Sequence, residues 1–279
     1  MDVKALSFLG IKGKIGLIII LFVVFIGITA PVISPYDPTS LFEPFEPPSS
    51  THLLGTDDVG HDVLTILIYG ARVSILVGFA TATISTFIGL LTALIAGCYE
   101  GLDPIISRIL DFFLVIPRIP FIVIISAFLT PNIFIVILVL SFFGWAKTAR
   151  VIKPLVKQVY SREYVKRLKC IGAGNWYIIL RHILPATFPL AVAQFVLEGG
   201  HAILAEASIG FFGLEDPSTL SWGMEINHAL QKSIIFLTNI WTWVLGPPIL
   251  MLTITLLSTT FISIDLETRI NPRLKVRSW

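Results

Sequence analysis

Between Val73 and Cys98 the chain runs for 26 residues without a charged side chain. A stretch of that length crosses a bilayer as a helix even when tilted, and in hydrocarbon a single chain segment can satisfy its backbone polar groups only as a helix. A second uncharged run, Ile15–Ile33, holds 19 residues, more than the roughly 7–15 of a signal-peptide core. It reads as an uncleaved first transmembrane helix. Ile133–Ala146, Ile183–Leu214 and Ser233–Ile264 are apolar as well, with Glu198 and Glu206 the only formal charges among them. A helix interrupted by Pro117 and Pro120, its apolar part ending near Leu129, completes a set of six spans. Charged residues make up 14% of the chain, against about 25% in soluble domains. The expected fold class is therefore an all-α polytopic membrane protein with six transmembrane helices.

The connections carry the polarity. Ser34–Gly70 holds Pro35, Pro38, Pro44, Pro47 and Pro48 with six acids and no Lys or Arg; proline at that density excludes a long helix, so the segment reads as irregular and extracytoplasmic. Thr130-Pro131-Asn132 signals a turn, and Glu215–Lys232 is a polar link. Lys and Arg collect in residues 1–14, at Arg108, between Lys147 and Arg181, and between Arg269 and Arg277; of the 20, only Arg72, Arg118 and Lys232 lie elsewhere. The positive-inside rule then places both termini in the cytoplasm. The expected organisation is an N-terminal helix and Pro-rich segment over 1–70, a transmembrane domain over 71–265, and a cytoplasmic tail over 266–279.

Several functions find no support in the sequence. Cys98 and Cys170 lie far apart and imply neither a disulfide framework nor a zinc site. No H-E-x-x-H and no phosphate-binding G-x-x-x-x-G-K-[ST] is present; if ATP drives this chain, another subunit binds it. No internal repeat of the kind many secondary transporters carry is visible. Asp57, Asp58, His61 and Asp62 do not have EF-hand spacing and read as a turn followed by an Asp-capped amphipathic segment.

The cationic loop ending in SREYVKRLKCIGAGNWYIILRHILP (161–185) stands out from the oil around it. Tyr164, Leu168 and Ile171 recur at helical spacing while Lys166, Arg167 and Lys169 fall on other faces, which describes a short amphipathic helix. Gly172-Ala173-Gly174-Asn175 breaks it, and Trp176-Tyr177-Ile178-Ile179-Leu180 forms a second apolar patch. Two readings follow: an interfacial helix set against anionic headgroups, or a knob that docks a soluble partner.

Four ionisable groups lie within apolar stretches. Arg118 is expected to snorkel to the cytoplasmic interface, with the pore as its alternative. Glu198 and His201 share a helix face at i and i+3, and other helices of the bundle are expected to satisfy them. With Glu206 they are candidates for the pathway or its gate, since intramembrane charges are functional candidates by default.

The pattern Glu163-Tyr164-Val165, Gly172-Ala173, Ile179-x-Arg181-His182-Ile183-Leu184-Pro185 resembles the EAA loop of ABC importer permeases, most closely the dipeptide/oligopeptide/nickel branch. Further matches occur in order along the chain: His52-Leu53-Leu54-Gly55-Thr56-Asp57-Asp58, Tyr69-Gly70-Ala71-Arg72-Val73-Ser74, Ile203-Leu204-Ala205-Glu206-Ala207-Ser208, Ser221-Trp222-Gly223 and Asn271-Pro272-Arg273-Leu274. The resemblance implies an ABC type-1 permease fold, N-in and C-in, in the cell membrane. It implies a subunit of an ATP-driven importer forming half of the pathway for peptides, or for oligosaccharides or nickel, with no bond chemistry and no cofactor of its own. The implied partners are a second permease subunit, two ATPase subunits that bind ATP and Mg, and an extracytoplasmic binding protein. The coupling helix would comprise Glu163, Tyr164, Lys166, Arg167, Leu168, Ile171, Gly172, Ala173 and Trp176, and Glu206 would hold a structural or gating place at the subunit interface. One departure is plain: Lys166-Arg167-Leu168 stands where the family has Glu-Ala-Ala. The alternative from another class is an ATP-independent secondary transporter or channel.

Overall fold

The charge-free runs fold as helices, with boundaries set by caps and prolines that hydropathy alone does not show. A computed structural model describes residues 9–128, 132–216 and 218–270. The expected turn at Thr130-Pro131 and the motif Asn271-Pro272-Arg273-Leu274 lie outside the described residues.

Helix α1 (Ile11–Ile33) matches the first uncharged run. Helix α2 (Val63–Cys98) starts ten residues before the expected span, so residues 63–70 are helical rather than irregular. Asp62 is the reason. Its Oδ1 accepts the Thr65 N–H at 2.8 Å and the Thr65 hydroxyl at 2.9 Å, capping the first turn, while His52 Nδ1 lies 3.0 Å from its Oδ2. Asp57 secures the turn before it: Oδ1 accepts N–H groups from Val59, Gly60 and His61 at 2.9, 2.7 and 2.7 Å. These acids hold the turn and the cap, as their spacing predicts.

Residues 103–128 form two helices, α3 (Asp103–Val115) and α4 (Arg118–Phe128). Pro117 separates them. A residue before proline is driven out of the helical region, and Ile116 sits at φ −69°, ψ 123°. Pro120 falls in the first turn of α4, where a missing N–H costs nothing. Because of this break, five helical stretches among the described residues are long and apolar enough to cross a membrane, not the six expected.

Helix α5 (Ile133–Tyr160) continues well past Ala146, which corrects the reading of Lys147 as the start of a cytoplasmic loop. Its cations are consumed along the helix by α3: Arg150 pairs with Asp111, Lys157 with Asp103, and Lys153 Nζ lies 2.9 Å from Asp103 Oδ1 and donates to Ser107 Oγ at 2.7 Å. Helices α2 and α5 lie close because small residues face the contact. A Cβ on Gly89 would stand 2.7 Å from the Trp145 carbonyl oxygen, and one on Gly97 2.4 Å from Val156 Cγ1, the small-residue packing by which membrane helices associate.

The chain then forms α6 (Glu163–Cys170), α7 (Asn175–Ile178), a π-helical turn over Ile179–Ile183, and α8 (Leu184–Phe211). Helix α9 (Trp222–Leu230) and the single turns α10 (Ile234–Leu237) and α11 (Trp241–Val244) precede α12 (Gly246–Ile270). Pro247 and Pro248 sit in the first turn of α12, a tolerated place. Trp222 is fully buried and its Nε1–H donates to the Leu67 carbonyl at 2.9 Å, so α9 is pinned onto α2. Helices α1 and α12 meet: Gly10 N–H donates to Asp265 Oδ2 at 2.5 Å, and a Cβ on Gly16 would lie 2.6 Å from the Ser258 carbonyl oxygen.

Candidate functional site

Helix α6 ends where the sequence places its break, and the geometry says why. Gly172 has φ +82°, a left-handed conformation that favours glycine. Its N–H donates to the Lys169 carbonyl at 3.0 Å, and Ala173 N–H donates to the Leu168 carbonyl at 3.0 Å. Those two bonds are a Schellman motif, so α6 stops cleanly and the chain turns toward α7.

What anchors α6 differs from the expected stripe. Val165 is fully buried, among Ile178, Ile179, Ile183, Val156 and Val159. Leu168 and Ala173 pack at the edge of that cluster. Tyr164 and Ile171, expected to share the stripe with Leu168, are exposed, Ile171 at 79%, and so is Trp176 at 67%. Together with exposed Lys166 and Arg167 they make a free surface of aromatic, aliphatic and cationic groups. Period-3.6 reasoning groups Tyr164, Leu168 and Ile171 but does not say which flank of the helix the bundle covers. Lys166 Nζ lies 2.8 Å from Glu163 Oε1 one turn away, so this cation finds an acid within its own helix. Beside α6 an open cleft of about 620 Å³ is lined by Cys98, Tyr99, Tyr160, Lys169 and Asn175, with Lys169 Nζ 3.6 Å above the Tyr160 ring.

The second group of candidate residues lies inside the bundle. Arg118 does not snorkel. It turns inward from the start of α4, Nη1 standing 2.9 Å from Glu198 Oε1 and Nη2 donating to the Leu140 carbonyl at 3.3 Å. Glu198 is buried on α8, with room for its carboxylate because position 144 is glycine: a Cβ there would lie 2.4 Å from Oε1 and 2.4 Å from Ser85 Oγ. His201 Nδ1 lies 3.6 Å from Glu198 Oε2, and Lys147 Nζ on α5 lies 3.4 Å from the same imidazole nitrogen. Four groups from three helices therefore converge. The i, i+3 pairing of Glu198 with His201 is legible in the sequence; Arg118 and Lys147 are brought in by tertiary packing.

Glu206 lies one to two turns further along α8. It is buried and accepts the Ser74 hydroxyl at 3.2 Å. Sequence reasoning missed its neighbour. Glu215, also buried, accepts the Ser221 hydroxyl at 2.7 Å, and Ser221 caps α9 through Met224 N–H. Burial pushes the Glu215 carboxyl up to about 7, against the pull of hydrogen bonds with Ser221 and Glu206.

Facing the α1–α2 connection, Lys232 Nζ lies 3.4 Å from Asp58 Oδ2, which ties residue 58 to the segment after α9. Burial, with Asp57 and Asp58 nearby, raises Glu225 well above the ordinary carboxylate range. His61 Nδ1 meets Asp57 Oδ2 at 2.9 Å; that hydrogen bond raises His61 despite burial, while Asp57 stays below its ordinary value because hydrogen bonds and charge outweigh its burial. No group of three or more His, Cys, Asp or Glu among the described residues is placed to hold a metal ion.

Residues 85–276 match the family model described as binding-protein-dependent transport system inner membrane component. The chain is 32% identical to the dipeptide transport system permease protein of Bacillus subtilis (strain 168), over 93% of this chain and 81% of that one. It is 32% identical to the di/tripeptide transport system permease protein of Pseudomonas aeruginosa (strain UCBPP-PA14), over 96% and 91%. It is 30% identical to the oligopeptide transport system permease protein of Bacillus subtilis (strain 168), over 94% and 85%.

Proposed function

The chain belongs to the binding-protein-dependent transport system inner membrane components, and on that premise we propose that it forms half of the translocation pathway of an ATP-driven importer of di- and oligopeptides. It is a multi-pass protein of the cell membrane. The relatives named above are transport permeases rather than enzymes, and we take this chain to catalyse no bond chemistry. Their peptide cargo is the reason to prefer peptides over oligosaccharides or nickel here.

In this reading helices α3 and α4 together make the sixth crossing, kinked at Pro117, and both chain termini lie in the cytoplasm, the side that the distribution of Lys and Arg supports. Residues 1–70 flank a transport domain over 71–265, and 266–279 form a tail; α2 runs unbroken through residue 70, so that boundary divides roles rather than folding units. A second permease subunit completes the pathway, a binding protein delivers cargo to the face formed by the α1–α2 connection and the 215–232 segment, and two ATPase subunits supply ATP and Mg chemistry.

The observation that carries this reading is α6. Glu163, Tyr164, Lys166, Arg167, Leu168, Ile171, Gly172, Ala173 and Trp176 form a coupling element whose apolar groups are bare on one side while Val165 fixes it to the bundle on the other. Bare aromatic and aliphatic side chains at a loop of this kind are what a partner's cleft would cover. ATP-driven closure of the ATPases then moves α6, and α7, the π turn and α8 carry the motion to Arg118, Glu198, His201 and Glu206.

The test is purification in mild detergent. A Walker-type ATPase is expected to co-purify with the wild-type chain and to be lost when residues 164–176 are deleted. Retention of ATPase and of uptake after that deletion overturns the coupling role, and ATP-independent uptake by this chain alone in liposomes overturns the importer reading.

A further inference from the structure

Basic side chains outnumber carboxylates in the immediate surroundings of Glu198. Its carboxylate stands within ion-pair reach of Arg118 and His201 but not of Lys147. Among the described residues Lys147 has no carboxylate within 4.0 Å; its hydrogen bond runs from Nζ to His201 Nδ1 at 3.4 Å. The next acid, Glu267 on α12, accepts Gln194 Nε2 at 2.9 Å and feels Lys147 through charge, but does not reach it as an ion pair. Lys147 can only donate, so its ammonium is directed at the imidazole in this contact.

Lys147 lies midway along α5 and is exposed, and the His201 side chain is 36% exposed. Acyl chains cannot solvate such a face, so it looks onto water or protein. Glu198, in contrast, is buried, with Oε1 2.9 Å from Arg118 Nη1 and Oε2 3.6 Å from His201 Nδ1, so its carboxylate faces into the bundle rather than the open side. The open side of the cluster therefore presents donors: an ammonium, an imidazole N–H and the edge of a guanidinium.

We propose that Lys147 and His201, backed by the Arg118–Glu198 pair, bind the terminal carboxylate of cargo as it passes through the membrane. The site rests on the peptide-importer reading and adds a specificity element within this subunit. A carboxylate accepts charge-assisted hydrogen bonds from two directions at once, which suits an ammonium beside an imidazole N–H. Glu198 keeps the cluster's net charge low enough that cargo is held without being trapped, since a transport site must release what it binds.

The experiment uses the complete transporter, with its second permease, ATPases and binding protein, in proteoliposomes. Uptake of one dipeptide is measured as the free acid and as the C-terminal amide, and the acid-to-amide ratio is compared between variants. The binding protein is the same throughout, so a change in ratio arises in the permease. Lys147→Gln is expected to lower the ratio by roughly tenfold, the scale of one charge-assisted hydrogen bond, and His201→Gln to lower it less; Lys147→Arg is expected to keep most of it. An unchanged ratio in both Gln variants overturns the site. So does loss of the second permease from the purified Lys147→Gln complex, which would make Lys147 a contact between subunits. Absence of peptide uptake by the wild type overturns the cargo reading itself, a result distinct from an unmoved ratio.

Discussion

Arg118 and Glu198, eighty residues apart in the chain, meet at 2.9 Å between Nη1 and Oε1 and so join α4 to α8 across the break at Pro117. Helix α4 is held as well by Ile122, buried beside Val77, Leu140 and Ala202, and by Phe121, whose ring lies 4.9 Å from that of Phe143. A kinked segment needs such a tie, because the break removes the backbone continuity that otherwise fixes direction.

Removing one member of this pair strands the other. Glu198→Ala is expected to destabilise the chain by about 3 kcal/mol, the low end of the range for a broken buried pair because Arg118 keeps partial access to water. The double variant Arg118→Met with Glu198→Met is expected to recover most of that loss. Thermal unfolding in detergent reads both, and a double variant no better than Glu198→Ala alone would show that the pair's partners, not the pair, set the cost.

Gly144 has a separate and purely steric role. With a Cβ 2.4 Å from both Glu198 Oε1 and Ser85 Oγ, Gly144→Ala is expected to cost about 1–3 kcal/mol and to lower the melting temperature. Gly101→Ala, where nothing lies within 4 Å, is the matched control and is expected to leave the melting temperature unmoved.

Two substitutions separate surface from anchor in α6. Ile171→Asp, at an exposed position, is expected to reduce ATPase co-purification while the melting temperature of the isolated chain hardly changes. Val165→Ala, at a fully buried position, is expected to cost about 2 kcal/mol and to lower both. Gly172→Ala forces φ +82° on a residue with a Cβ at a cost of roughly 1 kcal/mol and is expected to weaken docking; Gly174→Ala, at φ −65°, is expected to be neutral.

Glu215 makes stability depend on pH. Its folded value of about 7 lies above the ordinary 4.5, so the unfolded chain loses this proton first. The contribution is greatest in acid, falls as pH rises from 4.5 through about 7, and is level beyond. Glu215→Gln is expected to flatten part of that slope, since Glu225, also held above its ordinary range, keeps its own share. Melting curves across this range check it, and a slope unchanged by the substitution would assign the proton elsewhere.

Where the chain crosses the membrane was legible in Val73–Cys98 and Ile15–Ile33, because the bilayer's thickness writes itself into the length of an uncharged run. Where helices begin and end was less so. Asp62 starts α2 ten residues before Val73 through a cap, a three-residue interaction that hydropathy averages away. Lys147, Arg150, Lys153 and Lys157 resemble a cytoplasmic loop by composition, yet three of them are matched by Asp103 and Asp111 from α3 and the fourth meets His201. Such matches are tertiary and leave no local trace. The same holds at the sites: Gly172 announced its turn and Glu198 its partner at i+3, whereas Val165, Lys147 and Glu215 became visible only once distant helices were in place.

The contact between Gly10 and Asp265 bears on how the protein is made. Helix α1 leaves the ribosome well before α12, yet the two are close neighbours, Gly10 and Asp265 lying 255 positions apart in the chain. Until residue 265 has been synthesised, the stripe that Gly10, Gly13 and Gly16 present to α12 has nothing to close upon. Biogenesis must hold α1 waiting while those 255 positions are translated, so a chain cut short before Asp265 would leave α1 without this seat.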